Sequence, residues 1–313
     1  MQRTYGMETA NYMKPTHVIQ LLVLGILWGS SYLFIKVAVD GVDPATLVAG
    51  RLAIGSLFLI TMMRLGGLRF KYSRTFWGHV LAMSVVGIIV PQVLIAWSEQ
   101  HVTSSVASIL NATTPFFTLL FAAGVLRIET FSRAKIIGLV VGFAGVGVLT
   151  GRAIVDLATS SAQGQIALLV SSLAYGAAFA YTRRFQRGEP LVLASAQMSL
   201  STLLMIPGVL LFGHVGDTHL TLTRLAAWLA LGAFSSGVAY ILYYQLIAAV
   251  GATTASFGTY LIPVVGVFWG WLLLGESVGI RTILGVALIL AGLVVATGIR
   301  RKAAPVPKIK PAA

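Results

Sequence analysis

The sequence predicts an all-α polytopic membrane protein of ten transmembrane helices, built as two inverted five-helix repeats. Three observations lead there: a composition too apolar for water, apolar stretches of membrane-spanning length, and a second half that repeats the first. Of 313 residues, 57% are hydrophobic and 10% charged. Soluble domains average about 45–50% apolar and roughly 25% charged residues, so this chain has too little polar surface to solvate a globule of its size. It contains no cysteine, which removes disulfides, thiolate metal sites, a cysteine nucleophile and palmitoylation.

Crossing the hydrocarbon core takes about 20 apolar residues. Stretches near that length run His17 to Val39, Pro44 to Met63, Phe76 to Ser98, Thr103 to Leu126 and Lys135 to Thr150. Five more follow: Gln165 to Thr182, Pro190 to Phe212, Leu225 to Ala248, Ala252 to Leu274 and Thr282 to Ile299. Their length and the lack of strand-length alternation argue for helix. The first exceeds the apolar run of a cleavable signal, and no small-residue cleavage site follows it, so it is expected to be retained.

The net charge of +13 would point to nucleic acid in a soluble chain, but the positions of the charges decide otherwise. Lys and Arg gather at the two termini and in the second, fourth and sixth loops. The opposite side carries only Lys36, Arg152, Arg224 and Arg281, with Arg51 inside a span. Basic residues collect on the cytoplasmic side, so both termini are expected there, in a bacterial inner membrane. Arg64, Arg69, Lys71, Arg74 and the Arg300-Arg301-Lys302 run sit at helix ends, where anionic lipid accounts for them. No nucleic-acid partner is expected; the lipid bilayer and a small-molecule substrate are. The Pro-rich tail from Pro305 to Pro311 reads as disordered.

Sliding the chain by 146 to 148 residues superposes its halves. At 147, Gly138, Ala144, Gly145, Thr150 and Gly151 fall on Gly285, Ala291, Gly292, Thr297 and Gly298, and Glu129 falls on Glu276. At 148, Ala107, Ser108 and Pro115 meet Ala255, Ser256 and Pro263; Trp28-Gly29 meets Tyr175-Gly176 at 147, and Asp43-Pro44 meets Glu189-Pro190 at 146. Five spans per copy is an odd number, so the second copy enters the membrane from the other side, a transporter architecture. The expected units are a cytoplasmic segment 1–17, repeats at 18–150 and 165–299, an external loop 151–164 and a cytoplasmic tail 300–313.

Leu27-Trp28-Gly29-Ser30-Ser31 with Lys36, then Ala49-Gly50-Arg51-Leu52, the mid-span Pro115 and Pro263, and Gly275-Glu276 before the last span form an ordered set. In this order, over about residues 18 to 300, the chain resembles the EamA-type branch of the drug/metabolite transporter superfamily. The resemblance implies a ten-helix carrier, commonly an exporter of amino acids or other small metabolites, with a central pathway between the halves.

Candidate pathway residues follow from the residues themselves. Proline removes a helical donor and clashes with the carbonyl four residues earlier; for Pro115 and Pro263 these carbonyls are on Asn111 and Thr259, repeat mates with polar side chains near the bilayer midplane. Trp28, its mate Tyr175, and Tyr32 and Tyr244 are expected to supply aromatic walls, with Tyr240 and Tyr243 as further candidates. The alternative for Trp28 and Tyr175 is helix packing beside Gly29 and Gly176. Arg51 is charged well inside a span, at a cost of about 2.5–3.5 kcal/mol on insertion scales, and is either a gate or substrate anchor or a structural charge that snorkels outward or caps helix-end carbonyls. Glu99 and His101, at the end of the third span, are candidates for proton coupling against an interfacial loop pair.

Gly138, Gly142, Gly145, Gly285 and Gly292 are packing signals, which leaves open whether they join helices of one chain or two chains in a homodimer. An intramembrane enzyme is the remote alternative: there is no HExxH, no Gly-x-Ser-x-Gly and no carboxylate pair inside a span. No cofactor and no metal is expected. The expected function is export of neutral or zwitterionic small metabolites, amino acids or related compounds among them, by alternating access, with import as the rival direction.

Overall fold

A chain immersed in hydrocarbon must satisfy its backbone polar groups internally, and helix is what the sequence forms. The computed structural model describes residues 13–39, 41–70, 73–102, 107, 110–149, 161–185, 188–213, 218, 221–274 and 279–297. Joining helical pieces that run on from one another, we label α1 Pro15–Val39, α2 Pro44–Leu65, α3 Arg74–Ser98, α4 Thr114–Val125 and α5 Arg133–Leu149 in the first half. The second half holds α6 Ala162–Phe185, α7 Pro190–Phe212, α8 Leu222–Val250, α9 Ala252–Leu273 and α10 Ile280–Thr297. No strand occurs among the described residues.

Eight of these helices are long and apolar enough to cross a membrane; α4 is shorter, and α5 has 17 residues. The start of the fourth expected span, at 103–106 and 108–109, lies outside the described residues, as do residues 1–12, the loop at 151–160, Gly275-Glu276 and the tail. The outer surface is apolar. Leu57, Leu65, Leu210, Leu211, Leu222 and Ile280 are each more than half exposed, which suits lipid and would be costly in water. The protein is therefore an integral membrane protein.

The repeat is visible in local structure. Proline opens both α2 and α7, its fixed φ suiting the first helical turn. Asp43 caps α2 by accepting from the backbone of Ala45 and Thr46, both at 3.0 Å, while Glu189 holds the same position before α7 without a side-chain cap. In the third helix of each half the backbone widens to π geometry, over Val85–Ile89 in α3 and Leu231–Val238 in α8. Such insertions mark functional positions more often than chance.

Packing follows the same symmetry. α2 packs on α7 and α5 on α10, each a repeat pair, whereas α1 packs on α8 and α9 while α6 packs on α3 and α4. Exchanging each helix for its mate returns these same contacts, the pattern of two copies related by a pseudo-twofold. The glycines serve this packing within the chain. A Cβ on Gly292 would fall 2.5 Å from the Gly142 nitrogen, one on Gly138 2.6 Å from the Gly292 carbonyl, and one on Gly145 2.9 Å from the Gly285 carbonyl. These faces are consumed by the α5–α10 contact, and the homodimer through Gly-rich spans finds no support.

Candidate functional site

The prolines of α4 and α9 create the polar middle of the molecule. Ahead of Pro115 the helix breaks at 112–113, and the Asn111 carbonyl, deprived of its helical donor, accepts from Thr114 Oγ1 at 2.7 Å. Thr113 Oγ1 donates likewise to the Leu110 carbonyl at 2.6 Å. Ahead of Pro263 the chain tightens into a 3-10 turn, Phe257–Tyr260, where Thr259 Oγ1 donates to the Ser256 carbonyl at 2.9 Å. These hydroxyls satisfy the loosened turns internally, and both prolines end up buried behind the surface that Asn111 and Thr259 present.

That surface belongs to a cavity between the two halves, about 530 Å³ of space with its mouth included. It brings together Trp28, Tyr32, Arg51, Asn111, Tyr175 and Thr259 from the residues expected at the sequence level. The glycines explain the direction of the two aromatic mates. A Cβ on Gly29 would meet Val265 of α9 at 2.6 Å, and one on Gly176 would meet Phe117 of α4 at 2.5 Å. The glycine faces of α1 and α6 thus press on their neighbours, and Trp28 and Tyr175 turn to the cavity. Trp28 stands edge-on to Phe179 and Tyr240, with ring centroids 6.1 and 6.3 Å away, the geometry aromatic quadrupoles prefer.

Other expected residues lie elsewhere. Pro115 and Pro263 shape the backbone without lining the cavity. Tyr244 is buried and donates to Gln197 Oε1, whose amide in turn donates to the Met83 carbonyl at 2.8 Å; it braces α8, α7 and α3. His101 is exposed and lies over Trp97, centroids 4.2 Å apart, while Glu99 is 2% exposed at the end of α3. Neither lines the cavity, so a coupling role for the pair gains nothing from its geometry.

Gln92, Phe179 and Ser31 line the cavity and were missed. A signal for Gln92 was present: at a shift of 148, the one that pairs Asn111 with Thr259, Gln92 falls on Tyr240. The two mates meet in space, Gln92 Nε2 lying 3.5 Å from the Tyr240 hydroxyl, which itself donates to the Gly87 carbonyl in the π segment of α3 at 3.3 Å.

Arg51 does not snorkel. It is 6% exposed, lines the cavity, and donates from Nε to Ser236 Oγ at 3.0 Å, a hydroxyl in the π segment of α8. Its two terminal nitrogens have no hydrogen-bond partner among the described residues, and the ion pair Lys135–Glu129 at 2.6 Å sits at the start of α5, with neither residue in the cavity lining. Of the buried polar atoms without a hydrogen-bond partner among the described residues, two belong to side chains that line the cavity, the Tyr32 hydroxyl and Gln92 Oε1. Burying such groups unsatisfied costs about 1–3 kcal/mol each. No cluster of three metal-ligating side chains occurs among the described residues.

A model of the EamA-like transporter family matches residues 16–151 and again 162–298, one copy for each structural half. The chain belongs to the EamA-like transporter family. Among EamA-type relatives, the uncharacterized transporter YoaV of Bacillus subtilis (strain 168) is 22% identical over 88% of this chain and 94% of its own length. A protein of Streptantibioticus cattleyicolor named as a probable terminal-alkyne amino-acid exporter is 28% identical over 90% of this chain and 93% of its own. A solved crystal structure of a protein with 19% identity superposes at a TM-score of 0.76, covering 91% of this chain and 99% of that one, and shares the fold. The protein is a membrane transporter.

Proposed function

We propose that this transporter is an exporter of small, neutral or zwitterionic metabolites, amino acids or related compounds, in a bacterial inner membrane. Substrate passes through the central cavity by alternating access of two inverted repeats. In this reading α4 and α5 also cross, giving ten spans, with both termini cytoplasmic. The basic bias of the second, fourth and sixth loops supports that orientation.

The observation that carries the proposal is the cavity itself. A pocket lined from both repeats, largely apolar with a few polar groups, beside proline-loosened turns in α4 and α9, is where repeat-built carriers hold substrate. Its walls combine aromatic rings with hydroxyl and amide groups and one fixed charge, a composition suited to a small organic molecule. The export direction and the amino-acid class draw on the Streptantibioticus relative's name and on the family resemblance.

The test compares metabolites in medium and cytosol of cells expressing the wild type or Asn111→Trp at equal membrane levels, by mass spectrometry. Trp at 111 fills the cavity without adding charge. A metabolite that accumulates outside only with the wild type is the expected outcome and names the substrate. Accumulation unchanged by Asn111→Trp places transport outside this cavity, and accumulation inside the cells assigns import.

A further inference from the structure

The polar atoms left over in the cavity constrain its ligand. Arg51 is the one charged side chain among the described lining residues. Its Nε is committed to Ser236 at 3.0 Å, which fixes the guanidinium plane and leaves the two terminal nitrogens as a fork. That fork matches a carboxylate in two parallel hydrogen bonds. In the same lining, Gln92 donates from its amide nitrogen to the Tyr240 hydroxyl at 3.5 Å, and its oxygen, Oε1, is a buried acceptor without a partner among the described residues. An acceptor can be answered only by an N–H or O–H. The lining also holds Trp28, Tyr175, Phe179 and Tyr240 with three isoleucines, a set that favours a flat apolar body.

We infer that the cavity selects an organic carboxylate that carries a flat apolar body and a hydrogen-bond donor, the carboxylate held by Arg51 and the donor by Gln92. This rests on the cavity being the transport site. The carboxylate is obligatory, which narrows the class proposed above to acids, zwitterionic amino acids among them; an amine without a carboxylate meets the Arg51 charge with no acidic side chain among the described lining residues to offset it. A phosphate ester is also disfavoured, since its second charge finds no second cation.

The inference is tested by binding to the purified full-length chain in detergent, with indole-3-acetate, indole-3-acetamide, tryptamine and 1-naphthaleneacetate as probes. Charge-assisted bonds to a fork predict that indole-3-acetate binds roughly tenfold to a hundredfold more tightly than the amide. Tryptamine should bind no better than the amide. Arg51→Gln should abolish the acetate's advantage over the amide. In case Arg51→Gln does not fold, Gln92→Met supplies the second arm: it should weaken indole-3-acetate several-fold more than 1-naphthaleneacetate, which has no N–H. Equal binding of acid and amide, tighter binding of tryptamine, or no binding of any probe overturns the carboxylate assignment. Asn111→Trp separates this from the site itself. If the acid preference survives Asn111→Trp undiminished, the probes bind outside this cavity and the carboxylate assignment fails, while the pathway reading stands or falls on the export comparison above.

Discussion

At the scale of single residues, the polar groups outside the cavity show what a satisfied site looks like here. Glu129, between α4 and α5, accepts from the Ala252 and Thr253 backbone at 2.7 and 3.2 Å and pairs with Lys135 at 2.6 Å. It caps α9 just after Gly251, whose φ of +87° suits glycine. Burial opposes ionisation of Glu129, yet the Lys135 ammonium and the hydrogen bonds to Lys135 and Thr253 outweigh it and hold the carboxyl below its usual range. A carboxylate depressed in the folded state stabilises fully above its unfolded pKa, and that contribution fades as pH falls through the native one. Glu129→Gln should therefore cost about 1–3 kcal/mol at neutral pH, and the gap to wild type should close under acid, as followed by unfolding in detergent at a series of pH values. A gap that does not change with pH would remove the ion pair from this role. Arg51 and Gln92 contrast with this: they too are buried, but the Arg51 terminal nitrogens and Gln92 Oε1 have no hydrogen-bond partner among the described residues.

At the scale of helices, most spans were legible because length and apolarity alone define them. The boundaries expected for α2, α3 and α7 fall within two residues of those observed. What sequence could not give was helix rotation. Spans that are apolar all round have no moment to orient them, so Tyr244 and Tyr240, four residues apart on α8, were indistinguishable; the structure puts Tyr240 at the cavity and Tyr244 against Gln197. The better guide was glycine beside an aromatic residue, as at Trp28-Gly29 and Tyr175-Gly176, where the small face fixes the neighbour's direction. The π segments were not legible at all, since nothing in Val85–Ile89 or Leu231–Val238 breaks the helical pattern. The α5–α10 contact makes its own prediction. Gly292→Leu forces a side chain onto the Gly142 backbone, with overpacking costs of about 1–3 kcal/mol or more. The purified variant should melt at a lower temperature, with Gly147→Leu, whose Cβ meets nothing within 4 Å, as the silent control. Equal melting of the two variants would contradict the packing described.

At the scale of the whole molecule, the repeat explains why one pocket draws residues from both halves. α1 contributes Trp28 and Tyr32, α6 contributes Tyr175 and Phe179, and the paired breaks before Pro115 and Pro263 contribute Asn111 and Thr259. An exchange of contacts about the pseudo-twofold would carry this cavity from one face of the membrane to the other without rebuilding its walls. The absence of cysteine makes that claim directly measurable. Asn111→Cys and Thr259→Cys, made singly, give chains with one thiol each. These are reconstituted in vesicles and exposed to a membrane-impermeant thiol reagent from the outer or the inner face. The account predicts that each thiol reacts from both faces and that bound substrate slows both reactions. Reaction from neither face, or from one face only under all substrate conditions, would contradict alternating access through this cavity.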